Sequence, residues 1–322
     1  MRGLAGVAAL PLETELPWLK PLQRQLDAAI EADRLAHALL IQVSPGLGGD
    51  WLATWLAARL FCSASAAPCG CCTGCRRVTG GEQPDLLRLQ PIEESKEIRV
   101  DQVRELAAEL ALTSHAGGRK IAIVSPAERL NRAAANALLK TLEEPSGSSL
   151  LVLVTGEPSR LPVTVLSRCT RLQIQQPAQS ELIEWLAGRG GNATDWAALL
   201  QMLGPKPLEA LAADGEALTS LHRETTRALE QAVAGSLDPI ETAETWGKED
   251  YALRIACIES WLAARLRDWA AGRGKAKPQA LLLAMEEARE ARQWADTPIN
   301  KPLALERLLW RLNAAASSRR LA

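Results

Sequence analysis

Four cysteines packed between positions 62 and 75 carry the most definite chemistry in the sequence: Cys62, Cys69, Cys72 and Cys75, with C-x-x-C-x-x-C at their core. Four closely spaced thiolates suit a closed tetrahedral zinc site of the structural type. Cys62, at a predicted helix end, completes the shell. Cys71 is a fifth thiol that could compete with Cys69 or Cys72 as a ligand. A redox C-x-x-C is the functional rival, but such motifs come as one pair beside a βαβ unit rather than as a cluster. Cys169 and Cys257 stand alone, and each reads as a small buried hydrophobe.

A second candidate is Ser44-Pro45-Gly46-Leu47-Gly48-Gly49-Asp50, which follows an apolar run and opens a helix where a phosphate-binding loop would sit. A working loop needs a Lys for the β and γ phosphates and then a Ser or Thr hydroxyl for Mg²⁺. Those places hold Gly49 and Asp50. A carboxylate repels phosphate by about 4 kcal/mol at 4 Å for an effective dielectric near 20. The residues alone equally allow an ordinary Gly-rich turn. Ile121 to Val124 fails in the same way, because Ser125, Pro126 and Ala127 follow it instead of the acids that hold Mg²⁺. Glu128 and Glu143 are near in sequence, but glutamates on helix surfaces are mostly solvated.

The elements that must position these groups are legible as patterns. Leu39 to Val43, Leu86 to Leu89, Ile121 to Val124, Leu150 to Val154 and Arg171 to Ile174 are short apolar runs, expected as strands of a parallel sheet with helical crossovers. Val100 to Leu112 and Ala127 to Leu142 show helical spacing, and Pro145 with Gly147 ends the second. The expectation is an α/β domain over 17–176. After Pro177 only helical patterns remain: a short lid over 177–213 with a Gly190-Gly191 break, then a bundle over 214–322. Its stretches run from about Glu216 to Ala234, Tyr251 to Ala271, Ala280 to Ala295 and Pro302 to Ala315. Residues 1–16 read as a disordered extension, only faintly like a signal peptide.

At 322 residues, with 47% hydrophobic and 23% charged content, the chain is an ordinary globular mixture of two or three domains. No apolar run reaches the roughly 18 residues of a membrane span. Lys plus Arg numbers 37 against 38 for Asp plus Glu, which argues against a protein that coats nucleic acid by itself. The basic linker Gly272-Arg273-Gly274-Lys275-Ala276-Lys277 reads as a solvated loop. Clustered rather than spread cysteines suggest a reduced, cytoplasmic protein.

Asn131 to Pro145, NRAAANALLKTLEEP, followed by LLVLVT and then Ser167-Arg168-Cys169, closely resembles the AAA+ subunits of bacterial clamp loaders, and within them the members with degenerate nucleotide motifs. The resemblance runs from about Pro17-Trp18-Leu19 to Leu312. It includes RLAHALLIQ at 34 to 42, the cysteine module, DQVREL at 101 to 106 and Ile299-Asn300-Lys301-Pro302. It implies a AAA+ domain carrying a zinc module, a helical lid and a helical collar, without intrinsic catalysis. It further implies an ATP-silent stator of the DNA polymerase III clamp loader, partnered by gamma or tau and delta subunits, which place the sliding clamp on primed DNA. In this resemblance Arg168, flanked by Ser167 and Cys169, is an arginine finger reaching the ATP site of a neighbouring subunit. Arg160 and Arg171 are scaffold or interface charges. Gln83-Pro84-Asp85 departs from the family with Gln where relatives usually have His, and Gly204-Pro205-Lys206-Pro207 lacks the sensor arginine of active ATPases. Two other classes stand beside this reading. An active ATPase would need a loop Lys, and a zinc-containing nucleic-acid module would need a basic face.

Overall fold

The computed structural model describes residues 10–92, 95–115, 118–212, 215–273, 278–294 and 300–317. The expectations for 1–9, Gly274 to Lys277 and Ile299 lie outside the described residues. The chain divides into two compact units at Pro177/Ala178.

In the first unit, helix α1 (Lys20–Glu31) leads into strand β1 (Ala38–Gln42), α2 (Gly49–Phe61), α3 (Thr73–Gly80) and β2 (Leu86–Leu89). Then come α4 (Val100–Ala111), β3 (Ile121–Val124), α5 (Arg132–Glu143), β4 (Leu150–Thr155), α6 (Val163–Leu166) and β5 (Thr170–Gln173). The five strands form one parallel sheet in the order β2-β3-β4-β1-β5. Their near-continuous apolar sequences follow from burial on both faces. One face packs Ala38, Leu40, Ala122, Val124, Leu151 and Leu153 against α4 and α5 through Val103, Leu106, Leu138 and Leu142. On α2, which contacts β1 and β4, residues 51–58 are buried throughout.

Two expectations are corrected here. Residues 10–16 are not a disordered tail, because Leu12 and Leu16 are buried and the Pro11 carbonyl accepts a 3.3 Å hydrogen bond from Trp51 Nε1. The helical pattern from Ala127 to Leu142 is not one helix. A 3-10 turn at Ala127–Arg129 stops at Leu130, and Asn131 caps α5 by accepting from the Ala134 amide at 2.8 Å. Leu130 instead bridges to Ile98.

The second unit is helical throughout its described residues: α7 (Gln179–Ala187), α8 (Ala193–Leu203), α9 (Pro207–Ala212), α10 (Gly215–Ala234), α11 (Pro239–Lys248), α12 (Tyr251–Ala270), α13 (Pro278–Gln293) and α14 (Lys301–Ser317). The stretches assigned to lid and collar share one compact unit, with Leu199 and Met202 of α8 packed among Leu218, Leu221 and Cys257. A larger cluster joins Leu229, Trp246, Ile255, Ile258, Leu262, Leu305, Leu308 and Leu309. Among the described residues no helix is long and apolar enough to cross a membrane.

Candidate functional site

The loop after β1 has the backbone of a phosphate cradle and the side chains of a closed turn. Gly46 and Gly48 take left-handed φ values of +80° and +93°, which a β-carbon would strain, and Gly48 caps α2. Leu47 is buried, and its carbonyl accepts from Trp18 Nε1 at 2.8 Å. Gly49 stands where the phosphate lysine would be. A Cβ there would lie 2.4 Å from Val43 Cγ1 and 2.8 Å from Val154 Cγ1, so the backbone is seated directly on two strand residues.

The polar groups around this loop answer one another. Asp50, in the first turn of α2, accepts a hydrogen bond from Ser125 and feels the charges of Arg88 and Glu128. Burial pushes its carboxyl above the usual carboxylate range, Ser125 and Arg88 pull it down, and Glu128 adds to the rise. Arg88, whose own pKa burial lowers, donates from Nη2 to Thr54 Oγ1 at 3.0 Å, and that hydroxyl donates to the Asp50 carbonyl at 2.8 Å. Glu128 accepts from the Gly156 amide at 3.3 Å, while its Oε2 is buried without a hydrogen-bond partner. Glu128 therefore belongs to the loop, whereas Glu143 does not. Arg88 was missed by the sequence reading. A lone arginine inside the apolar run Leu86–Leu89 was its available signal, because such a charge requires partners when buried.

Arg168 sits on a short, well-anchored turn. The four-residue α6 ends at Ser167, whose Oγ donates to the Thr164 carbonyl at 3.1 Å. Cys169 is buried, with its thiol pushed up to about 11 by that burial, and it plugs the turn into the core beside Val165. Arg168 stays about one-third exposed. Its Nη1 donates to the Thr164 carbonyl at 2.9 Å and to Ser167 Oγ at 3.4 Å, and its Nη2 pairs with Glu143 Oε1 at 2.5 Å. Arg160 pairs with Glu157, and Arg171 is exposed on β5. Strand register separates Arg168 from the loop. β5 runs parallel to β1 with Thr170 beside Leu39 and Gln173 beside Gln42. Arg168 thus precedes β5 at the amino end of the sheet, and the loop follows β1 at the carboxyl end. About seven residues of rise lie between them, roughly 20 Å at 3.3 Å per residue.

The cysteines form the third cluster. Cys62 ends α2 and Cys72 caps α3, and the sulfurs of Cys62, Cys69, Cys72 and Cys75 all lie within 4.8 Å of one another, an arrangement that could hold a metal ion. Three of them accept backbone amides: Cys62 from Ala64 and Cys69, Cys69 from Cys72, and Cys72 from Cys75, at 3.3 to 3.4 Å. Such amides stabilise thiolates. The Cys75 and Ser63 amides lower the Cys72 thiol to about 5, and the Cys72 and Cys71 amides lower Cys69. Cys75 is fully buried, and burial pushes it up to about 12, a cost that a bound cation removes. The Cys62–Cys72 sulfur separation of 3.8 Å matches the edge of a tetrahedron with Zn–S bonds near 2.3 Å. The residues fit zinc. Cys71 is exposed, 3.6 Å from Cys69 Sγ and outside the quartet.

Residues within the two stretches that depart from the family pattern have structural partners. Asp85 is buried and accepts from Ser114 Oγ at 2.9 Å and the His115 amide at 3.0 Å. Lys206 pairs with Glu209 at 2.9 Å.

Comparison with known proteins bears on the whole arrangement. A family model described as DNA polymerase III, delta subunit, matches residues 18–178. DNA polymerase III subunit delta' of Pseudomonas aeruginosa is 35% identical over 255 residues, 78% of this chain and 77% of that protein. The subunit delta' of Escherichia coli is 40% identical over 173 residues, covering 53% of this chain and 52% of that one. In fold, a gamma subunit-related protein of Thermotoga maritima matches with a TM-score of 0.53 at 19% identity, covering 93% of this chain and 99% of that structure. With its parallel AAA+ sheet, its thiol quartet and this level of identity, the chain belongs to the delta prime family of DNA polymerase III clamp-loader subunits.

Proposed function

We propose that the chain is the ATP-silent stator of its clamp loader: it binds no nucleotide and supplies Arg168 to the ATP site of an adjacent gamma or tau subunit. The observation that carries this reading is the position of Arg168 at the opposite end of the sheet from the chain's own loop. An arginine side chain cannot span that length, so any phosphate it serves belongs to another molecule. The chemistry is electrostatic. As the bond to the γ phosphate loosens, charge gathers on its oxygens, and a guanidinium fork stabilises that charge when held in place by its neighbour. Burial of Cys169 and the hydrogen bond to Thr164 supply the holding. The assembled loader, with gamma or tau and delta subunits, then places the sliding clamp on primed DNA. Zinc held by Cys62, Cys69, Cys72 and Cys75 would tie the end of α2 to the start of α3 and neutralise the thiolates.

The active-ATPase reading is disfavoured by Gly49, because the room a lysine needs is taken by Val43 and Val154. A nucleic-acid module working alone is disfavoured by the near-neutral charge.

Four outcomes test this reading. Calorimetry on the isolated chain should show no Mg·ATP binding tighter than about 0.1 mM, equivalent to some 5 to 6 kcal/mol that no group at the loop supplies. Gly49→Lys should not create such binding and should lower stability by about 1 to 3 kcal/mol through overpacking.

Asp50 gives a pH signature. Its pKa in the folded chain is raised, so the unfolded chain deprotonates first, and the stability associated with this group falls as pH climbs through the ordinary carboxylate range near 3.8. Asp50→Asn should therefore be more stable than the parent at pH 7 in urea melts. The gap should close on acidification below the carboxylate range, and a gap that widened there would contradict the burial argument.

Arg168→Ala should leave stability within about 0.5 kcal/mol and assembly intact. Single-turnover hydrolysis at the adjacent site of a reconstituted loader should slow by about 10³ to 10⁵, with a smaller fall in bulk rate because other sites keep their own arginines. Arg168→Lys should rescue poorly, since a point charge cannot reproduce the planar two-toothed grip. An unchanged rate at that site would remove the finger role.

Elemental analysis of chain purified under reducing, metal-replete conditions should find about one Zn²⁺ per molecule, released by strong chelators or acid. Joint loss of Cys72 and Cys75 should abolish it.

A further inference from the structure

We propose that the thiol module has two interchangeable four-sulfur ligand sets, in which Cys71 can take the place of Cys69 and hold zinc together with Cys62, Cys72 and Cys75. This rests on reading the module as a zinc site, and the experiment below separates the two.

Cys71 is poised for this exchange by position. Its sulfur lies 3.6 Å from that of Cys69 and outside the quartet, beside the one ligand it would replace. Cys71 is exposed, so no packing must be undone for its side chain to turn inward.

The other three ligands cannot be exchanged so readily. Cys75 is fully buried, with its sulfur 3.9 Å from the Ala58 carbonyl. Cys72 is the cap of α3, and its sulfur accepts the Cys75 amide. Cys62 closes α2, and its sulfur accepts two amides. Cys69, by contrast, lies outside any helix and is half-buried, its sulfur held by the Cys72 amide at 3.3 Å and by the Cys71 amide. Gly70, at φ +70°, turns the chain between Cys69 and Cys71, and the Glu13 carboxylate occupies the space where a side chain at Gly70 would go. In the exchange the Cys71 thiol loses its proton to solvent and forms a Zn–S bond, the Zn–S bond to Cys69 breaks, and the Cys69 thiolate takes up a proton. Charge and ligand number are unchanged.

The test uses the full chain loaded with Co²⁺, whose absorption reports the number of thiolates and the tetrahedral geometry, alongside zinc content. The unmodified chain and Cys71→Ser should both give the four-sulfur spectrum. Cys69→Ser should keep the four-sulfur spectrum and about one zinc per chain, whereas Cys69→Ser with Cys71→Ser, and Cys72→Ser alone, should lose it. If Cys69→Ser matched the double variant, Cys71 would not be a substitute ligand. If the unmodified chain gave no tetrahedral thiolate spectrum, the zinc reading itself would fall. Where Cys69→Ser does not fold, alkylation of the zinc-loaded parent by iodoacetamide decides. Exchange predicts that Cys69 and Cys71 are modified at comparable rates while Cys62, Cys72 and Cys75 are protected. Modification of Cys71 alone would overturn the proposal.

Discussion

Parallel pairing of β1 with both β4 and β5 is the constraint on which the rest of the first unit depends. It brings the glycine-rich loop after β1 beside Val154 at the end of β4, and it sends the turn before β5 to the amino end of the strands. A parallel neighbour cannot do otherwise, since equivalent ends of its strands face the same way. One end of the strands therefore carries the glycine-rich loop and the other carries the arginine. On the proposed reading, the ATP site that Arg168 completes lies across a boundary between molecules.

On the proposed reading, the loop is a nucleotide site that has kept its architecture and lost its binding groups. Removing the lysine alone would leave a cradle of amides open to any anion. Here Gly49 lets the backbone settle onto Val43 and Val154, and Asp50 brings a negative charge to the place of the Mg²⁺-binding hydroxyl. Arg88 supplies a compensating cation from β2, at the edge of the same sheet, and hydrogen-bonds Thr54. The crevice at the carboxyl ends of the strands, where ligands of such sheets ordinarily sit, thus holds the chain's own charged groups, Asp50, Glu128 and Arg88.

Much of this was readable in the sequence because it depends on period and composition. All five strands were legible, with five boundaries in three of them displaced by one residue, since the apolar runs that mark burial do not mark where pairing stops. The cysteine quartet was legible from spacing alone. What escaped depended on contacts between distant segments. α1 carried apolar spacing at Leu22, Leu26 and Ile30 that went unread, and α3 hides among cysteines and glycines. α11 carried a signal that went unread: Asp238 caps it, accepting from the Ile240 amide at 2.9 Å, with Pro239 at the first helical position. Asn131 likewise breaks the pattern from Ala127 to Leu142 at the cap of α5. The partner of Arg88 could not be inferred, and neither could that of Glu143, because local sequence does not say which strand or turn faces them.

The pair between Arg168 and Glu143 has a consequence for selectivity. Both side chains are substantially exposed, and a surface pair of this kind contributes about 0 to 1 kcal/mol. On the proposed reading, the guanidinium leaves its carboxylate only for an anion that binds it better. A single surface carboxylate on a passing protein offers no advantage over the one already in place, whereas the clustered oxygens of a polyphosphate do. The resting contact would then act as a low threshold that makes the arginine indifferent to most acidic surfaces and responsive to dense negative charge. On that reading the fork, held by Thr164, Ser167 and Glu143, starts from one anchored position, so that capture involves a change of anion.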